Sequence, residues 1–347
     1  MLAAVMYGVD NIRIEDVEKP KINDNEILLK VKSVGICGTD LRIIKNGRDD
    51  IHENNPRILG HEISGIIVEV GKNVKSYKVG MRVAVAPNTG CGVCDFCARG
   101  DYHLCHDYYA LGVHLNGGFA EYVKIPENFV RTGNVVELPE HVSFDEGAII
   151  EPLSCVYNGL SATPVKPGDN VCIIGAGTIG VMFALLAKLS GASKVIVANR
   201  TPDRLKLCKS IDPSLITVES TNLENEVNNQ TNGNGADVCI VACSSPSAQA
   251  QALELTGING SVNYFGGLPK NNEMVKINTN AIHYKQLKVT GTTKANNYYF
   301  RESLKLINDK KINIKKLITN KYSINDFNEA TKSANISKGL KSIITFD

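Results

Sequence analysis

VCIIGAGTIGVMFALLAKLSGASKVIVANR, residues 171–200, reads as strand, glycine turn, helix and second strand. The apolar run before Gly175 is continuous, as expected of a parallel strand buried on both faces. The apolar residues after Gly180 recur at helical spacing, and KVIVAN (194–199) returns to a buried-strand pattern. Further runs of the same kind, ADVCIVAC (236–243), SVNYFGG (261–267) and LKVTGTT (287–293), extend the alternation. This half of the chain is therefore expected to be an α/β domain with a parallel sheet.

Each glycine of GAGTIG has a separate task. Gly175 permits the turn, Gly177 lets a pyrophosphate approach the backbone, and Gly180 lets helix and strand pack closely. Thr178 and Ile179 open the helix whose N-terminus would face the phosphates. Adenosine ribose is usually read by an acid at the tip of the next strand, but here the tip is Ala198-Asn199-Arg200. Without a carboxylate a ribose 2′-phosphate is not repelled, and Arg200, with Arg204 one turn on, offers planar forks suited to it. NADP(H) is thus favoured over NAD(H), although Arg200 facing water in an NAD site is the plainer alternative.

The first half has a different rhythm. EILLKVKSVGICG (26–38), SGIIVEVG (64–71), GMRVAVAPN (80–88) and FAEYVKI (119–125) are short strand-like runs with turn signals between them, which predicts an antiparallel, barrel-like region. Inside it Cys91, Cys94, Cys97 and Cys105 form CxxCxxCx7C. One short loop with that spacing can wrap a tetrahedral Zn²⁺ with four thiolates, a closed structural site. The alternative, a pair of disulfides, needs an oxidising compartment, and the start MLAAVMYGVDNIRIED lacks a charged segment leading into an apolar core.

A second metal site is expected from Cys37 in GICGTD and His61 in LGHE, with Glu62 or Glu151 (in AIIEPLSC) as the carboxylate. A catalytic zinc needs about three protein ligands and an open position. A charged Glu151 in so apolar a segment would be costly without a cation nearby. Alone, His61 and Cys37 could equally be core residues.

The bulk composition is neutral in its implications. With 38 basic and 36 acidic residues there is no field to attract nucleic acid or an anionic membrane, and 347 residues suffice for two domains. VMFALLAKLSG is broken by Lys188, too early for a bilayer span. RESLKLINDKKI (301–312) reads as an amphipathic helix and SIITFD as a final strand, while NNQTNGNG (228–235) reads as a polar loop.

Taken in order, GICGTD, GHE, the four-cysteine loop, GGFAEY, EPL and GAGTIG resemble the zinc-containing medium-chain alcohol dehydrogenases, within them the polyol branch that includes sorbitol and hexitol-phosphate enzymes. The branch assignment rests mainly on Glu151. The resemblance implies a GroES-like β-barrel catalytic domain over 1–150 and 295–347, with a structural zinc lobe at about 88–108. It also implies a Rossmann doubly wound parallel sheet over 151–294 and an active site in the cleft between the domains. By the same likeness two zinc ions are expected. Cys37, His61 and Glu151 surround the catalytic one, with Glu62 a ligand or exchangeable partner, and Thr39 passes the alcohol proton outward. Many relatives have a histidine where Arg42 stands, so the outer end of that path is open, with a water chain or His52 as candidates.

The implied activity is hydride transfer between NADP(H), or NAD(H), and a secondary alcohol or ketone, a polyol, sugar or sugar phosphate. A threonine- or glucose-type dehydrogenase on the same scaffold is the alternative, and a nucleotide-binding protein without catalysis a remote one. A cytoplasmic homodimer or homotetramer with a small-molecule substrate is expected, with SVNYFGG as an edge strand able to pair with its copy.

Overall fold

The computed structural model describes residues 1–336 and 338–347. The chain divides into two compact units, Met1–Ser154 with Lys294–Asp347, and Cys155–Thr293.

In the second unit the strands Asn170–Ile174, Lys194–Asn199, Ile216–Glu219, Ala236–Val241, Thr256–Tyr264 and Lys288–Gly291 pair in parallel. Their order across the sheet is 216–219, 194–199, 170–174, 236–241, 256–264, 288–291. The first strand in sequence lies at the centre, and Val171, Cys172 and Ile173 are fully buried there. Burying each such side chain contributes about 1.5–3 kcal/mol, which is why the runs are apolar without alternation. The helix Thr178–Leu189 follows the central strand at once, with Gly177 as its N-cap.

Two expectations need correction here. SVNYFGG is not an edge, because its strand Thr256–Tyr264 is paired on both sides, and the edge is Lys288–Gly291. The stretch 228–235 is not all loop, since the helix Leu223–Thr231 runs into it and ends on Asn232 in the left-handed region (φ 52°). Leu223, Val227 and Thr231 recur every fourth residue and are buried, and that stripe outweighs the poor helix propensity of the asparagines.

The first unit is built on a sheet in which Ile27–Gly35 pairs antiparallel with Glu62–Val70, with Tyr122–Ile125 and with Lys341–Thr345. Arg82–Val85 and Val135–Glu137 continue one side, and Ile318–Ser323 joins Lys341–Thr345 in parallel. A smaller sheet holds Asn11–Asp16, Leu2–Gly8 and Arg57–Ile58. The final strand thus lies beside Ile27–Gly35, which brings Lys341 next to the segment that leads into Cys37. No helix among the described residues is long and apolar enough to cross a membrane.

Candidate active site

Cys37 lies two residues after the strand Ile27–Gly35 and caps the helix Gly38–Asn46. Its backbone N–H donates to Asp40 Oδ2 (2.9 Å) and its Sγ accepts from the Thr39 N–H (3.5 Å), so the cap fixes the thiol's direction. Asp40 is fully buried, and its other oxygen lies 3.3 Å from His61 Nδ1. That contact is an ion pair without hydrogen-bond direction, since Nδ1 has no hydrogen-bond partner. His61 precedes the strand Glu62–Val70, and one ligand atom each from Cys37, His61 and Glu62 lies within 4.8 Å of the others. Glu151, in the first turn of the helix Ile150–Ala162, is buried but stands outside that set.

The electrostatics suit a cation. Burial works against a charged His61, yet Asp40 and Cys37 hold its pKa well above the usual imidazole range. A pocket that draws positive charge onto an imidazole also draws a divalent ion, and Glu62 Oε2, which makes no hydrogen bond, is met there by a cation, Lys341. Lys341 supplies a fixed counter-charge. Its Nζ lies 2.5 Å from both Glu62 oxygens, and it donates to Ile36 O (2.9 Å). Burial would strip it of its proton, but Glu62, then Cys37 and Glu151, raise it above the ordinary ammonium value.

Thr39 and Arg42 lie one turn apart, and Arg42 Nη2 donates to Thr39 Oγ1 (2.9 Å). The hydroxyl oxygen is thus occupied as an acceptor and its proton is left to be donated elsewhere. His52 is exposed.

In the four-cysteine loop, Cys91 Sγ is 3.9 Å from Cys97 Sγ and Cys94 Sγ is 3.6 Å from Cys105 Sγ. All four sulfurs lie within 4.8 Å of one another, and all ten cysteines are free thiols. Ligands at about 2.3 Å from a tetrahedral zinc sit about 3.8 Å apart, so the spacing fits that ion, whereas a disulfide needs about 2.05 Å. Backbone N–H groups of Val93 and Cys94 pull Cys91 down to about 7, while burial pushes Cys97 up to about 12. Four thiolates can coexist there only around a cation. A side chain at Gly90 would meet Cys105 Cβ and Cys97 Sγ at 2.8 Å, so the fold of the loop requires glycine.

In the glycine turn of the second unit, the turn at Gly175 and the close packing at Gly180 are both visible. Gly175 has φ 121°, and a Cβ on Gly180 would lie 1.7 Å from Gly175 O. Arg204 Nη1 is 3.6 Å from where a Gly177 side chain would begin, so a guanidinium stands over the turn at the start of Thr178 and Ile179. Asn199 Oδ1 accepts from Ala176 N–H (3.3 Å), which ties the strand tip to the turn. Arg200 is exposed, close enough to Cys243 to bear on its thiol. The neighbouring strand ends in exposed Glu219, in register with Asn199.

Three groups here escaped the sequence reading. Asp40 was visible in principle as the acid three residues after a helix cap. Glu219 sits one strand beyond the position that the ribose rule inspects. Lys341 lies 279 residues from Glu62, with no local signal to join them.

A Cys–His–carboxylate cluster with a half-buried thiol and a buried imidazole and carboxylate, in a barrel-like unit of a chain that also has a dinucleotide turn, is the equipment of a metal-assisted dehydrogenase. Residues 23–140 match the alcohol dehydrogenase GroES-like domain, and 178–309 the zinc-binding dehydrogenase domain. Sorbitol dehydrogenase of Bacillus subtilis (strain 168) is 34% identical over 337 residues, covering 96% of this chain and 93% of that protein. A solved structure from Sinorhizobium meliloti 1021, bound to NADP, superposes with a TM-score of 0.90 at 29% identity, covering 99% of both chains. One from Escherichia coli CFT073, complexed with NADH, has a TM-score of 0.89 at 28% identity over 100% of this chain and 99% of that one. The chain belongs to the zinc-containing medium-chain alcohol dehydrogenases, in their polyol dehydrogenase branch.

Proposed function

We propose that this enzyme interconverts a secondary alcohol and its ketone on a polyol, sugar or sugar phosphate, with NADP(H) as hydride carrier and two zinc ions per chain. The observation that carries this reading is the convergence of half-buried Cys37 with buried His61 and Glu62, one ligand atom of each within 4.8 Å of the others. Cys37 and His61 would hold the catalytic ion, with Glu151 completing the set and Glu62, drawn toward Lys341, as the exchangeable carboxylate. Cys91, Cys94, Cys97 and Cys105 would hold the structural ion. Bound in the first site, zinc would supply Lewis acidity toward an alcohol or carbonyl oxygen. The nicotinamide supplies or receives the hydride.

The chain's own part is orientation and proton handling. Asp40 holds the imidazole of His61 by Nδ1, leaving Nε2 as the ligand atom. Thr39 exchanges the alcohol proton with solvent, because Arg42 at its oxygen is a permanent cation and accepts no proton. Arg42 therefore orients the hydroxyl and ends the path at water.

The carboxylate question has a direct test. Glu151→Gln is expected to lower catalytic zinc affinity about 10–100-fold or more, read by metal titration, and Glu62→Gln to lower it less. The reverse order would make Glu62 the resident ligand.

For the cofactor, Arg200 and Arg204 beside an uncharged strand tip favour a 2′-phosphate, against the single carboxylate of Glu219. Arg200→Ala is expected to raise KM for NADPH about 10-fold while changing KM for NADH about twofold or less, measured by steady-state kinetics with each. Equal changes would overturn the preference.

Ten free thiols suit a reducing compartment, in keeping with a cytoplasmic enzyme. Lys288–Gly291 has an unpaired edge, and Ile258, Tyr284 and Val289 beside it are exposed, which supports a homodimer or homotetramer built along that strand.

A further inference from the structure

Three cations and one imidazole of the first unit gather where the reaction above gives them nothing to do. Arg57, in the short strand Arg57–Ile58, is only 9% exposed, and its Nη1 has no hydrogen-bond partner among the described residues. Its Nη2 lies 3.7 Å from Asp50 Oδ2. Asp50 is already engaged by Arg48, through Nε to Oδ1 (2.8 Å) and Nη2 to Oδ2 (3.3 Å), so one carboxylate serves two guanidinium groups. His114 feels Arg48, Arg57 and Lys294 together. After burial, those three charges are what push its pKa down, with Asp50 opposing.

His114 Nδ1 accepts from the Ala110 N–H (3.1 Å), which leaves Nε2 as an N–H donor on a neutral ring. The ring meets Tyr108 edge-on at 5.5 Å, and Lys294 Nζ stands 3.5 Å over the Tyr108 ring while donating to His103 O (3.2 Å). Two permanent guanidinium charges thus share one carboxylate in a half-buried place, with the Lys294 amine nearby, and one buried guanidinium nitrogen, Arg57 Nη1, is unanswered. Such surplus is unfavourable in the protein alone and is relieved by an anion that takes up the forks.

The cluster is carried by the segments that carry the metal ligands. Arg57 is four residues before His61, a span of about 14 Å at most. A Cβ on Gly112 would lie 2.3 Å from Gly60 O and 2.9 Å from His61 N, so the segment bearing His114 runs directly against the backbone of His61. Arg48 follows the helix that Cys37 caps.

We propose that Arg48, Arg57, Lys294 and His114 form an anion subsite of the substrate pocket, selecting a polyol or ketose with a terminal phosphate or carboxylate over the uncharged molecule. This deepens the dehydrogenase reading and rests on it for the reacting end of the substrate. The anionic end is bound, not transformed.

The test uses the zinc-loaded enzyme. Glucitol, glucitol 6-phosphate and gluconate are compared by kcat/KM, and inorganic phosphate binding is measured by calorimetry. The wild type is expected to favour an anionic substrate by about 10–100-fold, with the phosphate and carboxylate arms telling which anion is read. Arg57→Met and the more exposed Arg48→Gln are each expected to cut that ratio about 10-fold or more, chiefly through KM, and to weaken phosphate binding. A ratio near one, or a ratio unmoved in both variants, overturns the subsite and leaves the dehydrogenase intact. If no alcohol is oxidised, the dehydrogenase reading fails. Phosphate bound by the wild type and lost in Arg57→Met then still supports the subsite, and phosphate unbound overturns it.

Discussion

A Cys37→Ser variant is expected to lose turnover by more than about 10³-fold and to fall from about two zinc ions per chain to about one. The magnitude follows from position, since even residues that only support a ligand cost about 10–100-fold when changed. Serine keeps the helix cap, because its hydroxyl can accept from the Thr39 N–H as the thiol does, so the loss reads out the metal and not the fold. The four-thiol loop is supported by different chain segments and should keep its ion. Metal analysis alongside kinetics with NADPH and a ketose checks both halves, and a serine variant with full activity would sink the assignment of Cys37.

The second large effect concerns Lys341→Met. Lys341 and Glu62 are both buried, and methionine would leave the Glu62 carboxylate without its counter-charge. Breaking such a pair costs about 3–5 kcal/mol, a fall in the melting temperature of the first unit on the order of 10 °C. Adding Glu62→Gln should restore much of it, because the penalty lies in the stranded charge and not in the lost attraction. The sign of the pH dependence follows from the raised pKa of Lys341. Its contribution is complete below the ordinary lysine value of 10.5 and is lost as pH climbs through the higher folded value, so between pH 6 and 9 the pair is silent. Differential scanning calorimetry of the two variants decides it. An unchanged Lys341→Met melting temperature would mean that Glu62 is neutralised by other means.

What could be read in advance was whatever physics writes locally. Continuous apolar runs announced the parallel sheet, because strands covered on both faces have no polar side to show. The glycine turn was legible because Gly180 has no room for a β-carbon, and the thiol loop because four ligands fall within fifteen residues. The cluster of Cys37, His61 and Glu62 was legible only as separate parts. Cys37 and His61 are brought together by adjacent strands, and neither sequence segment names the other. Lys341 was invisible for the same reason, since its pairing with Glu62 depends on where the last strand joins the sheet. The edge strand was misjudged because SVNYFGG and LKVTGTT have similar composition, and composition does not say which of two parallel strands lies outermost.

The thiol loop also sets how this enzyme would age. Its sulfur pairs, at 3.6 and 3.9 Å, need close only about 1.5–2 Å to become disulfides, so an ion held at their centre would also be a spacer that keeps them apart. Two equivalents of peroxide reaching the half-buried Cys91 end of the loop would therefore release such an ion and weld the loop as two disulfides, and reductant without fresh zinc would not undo it.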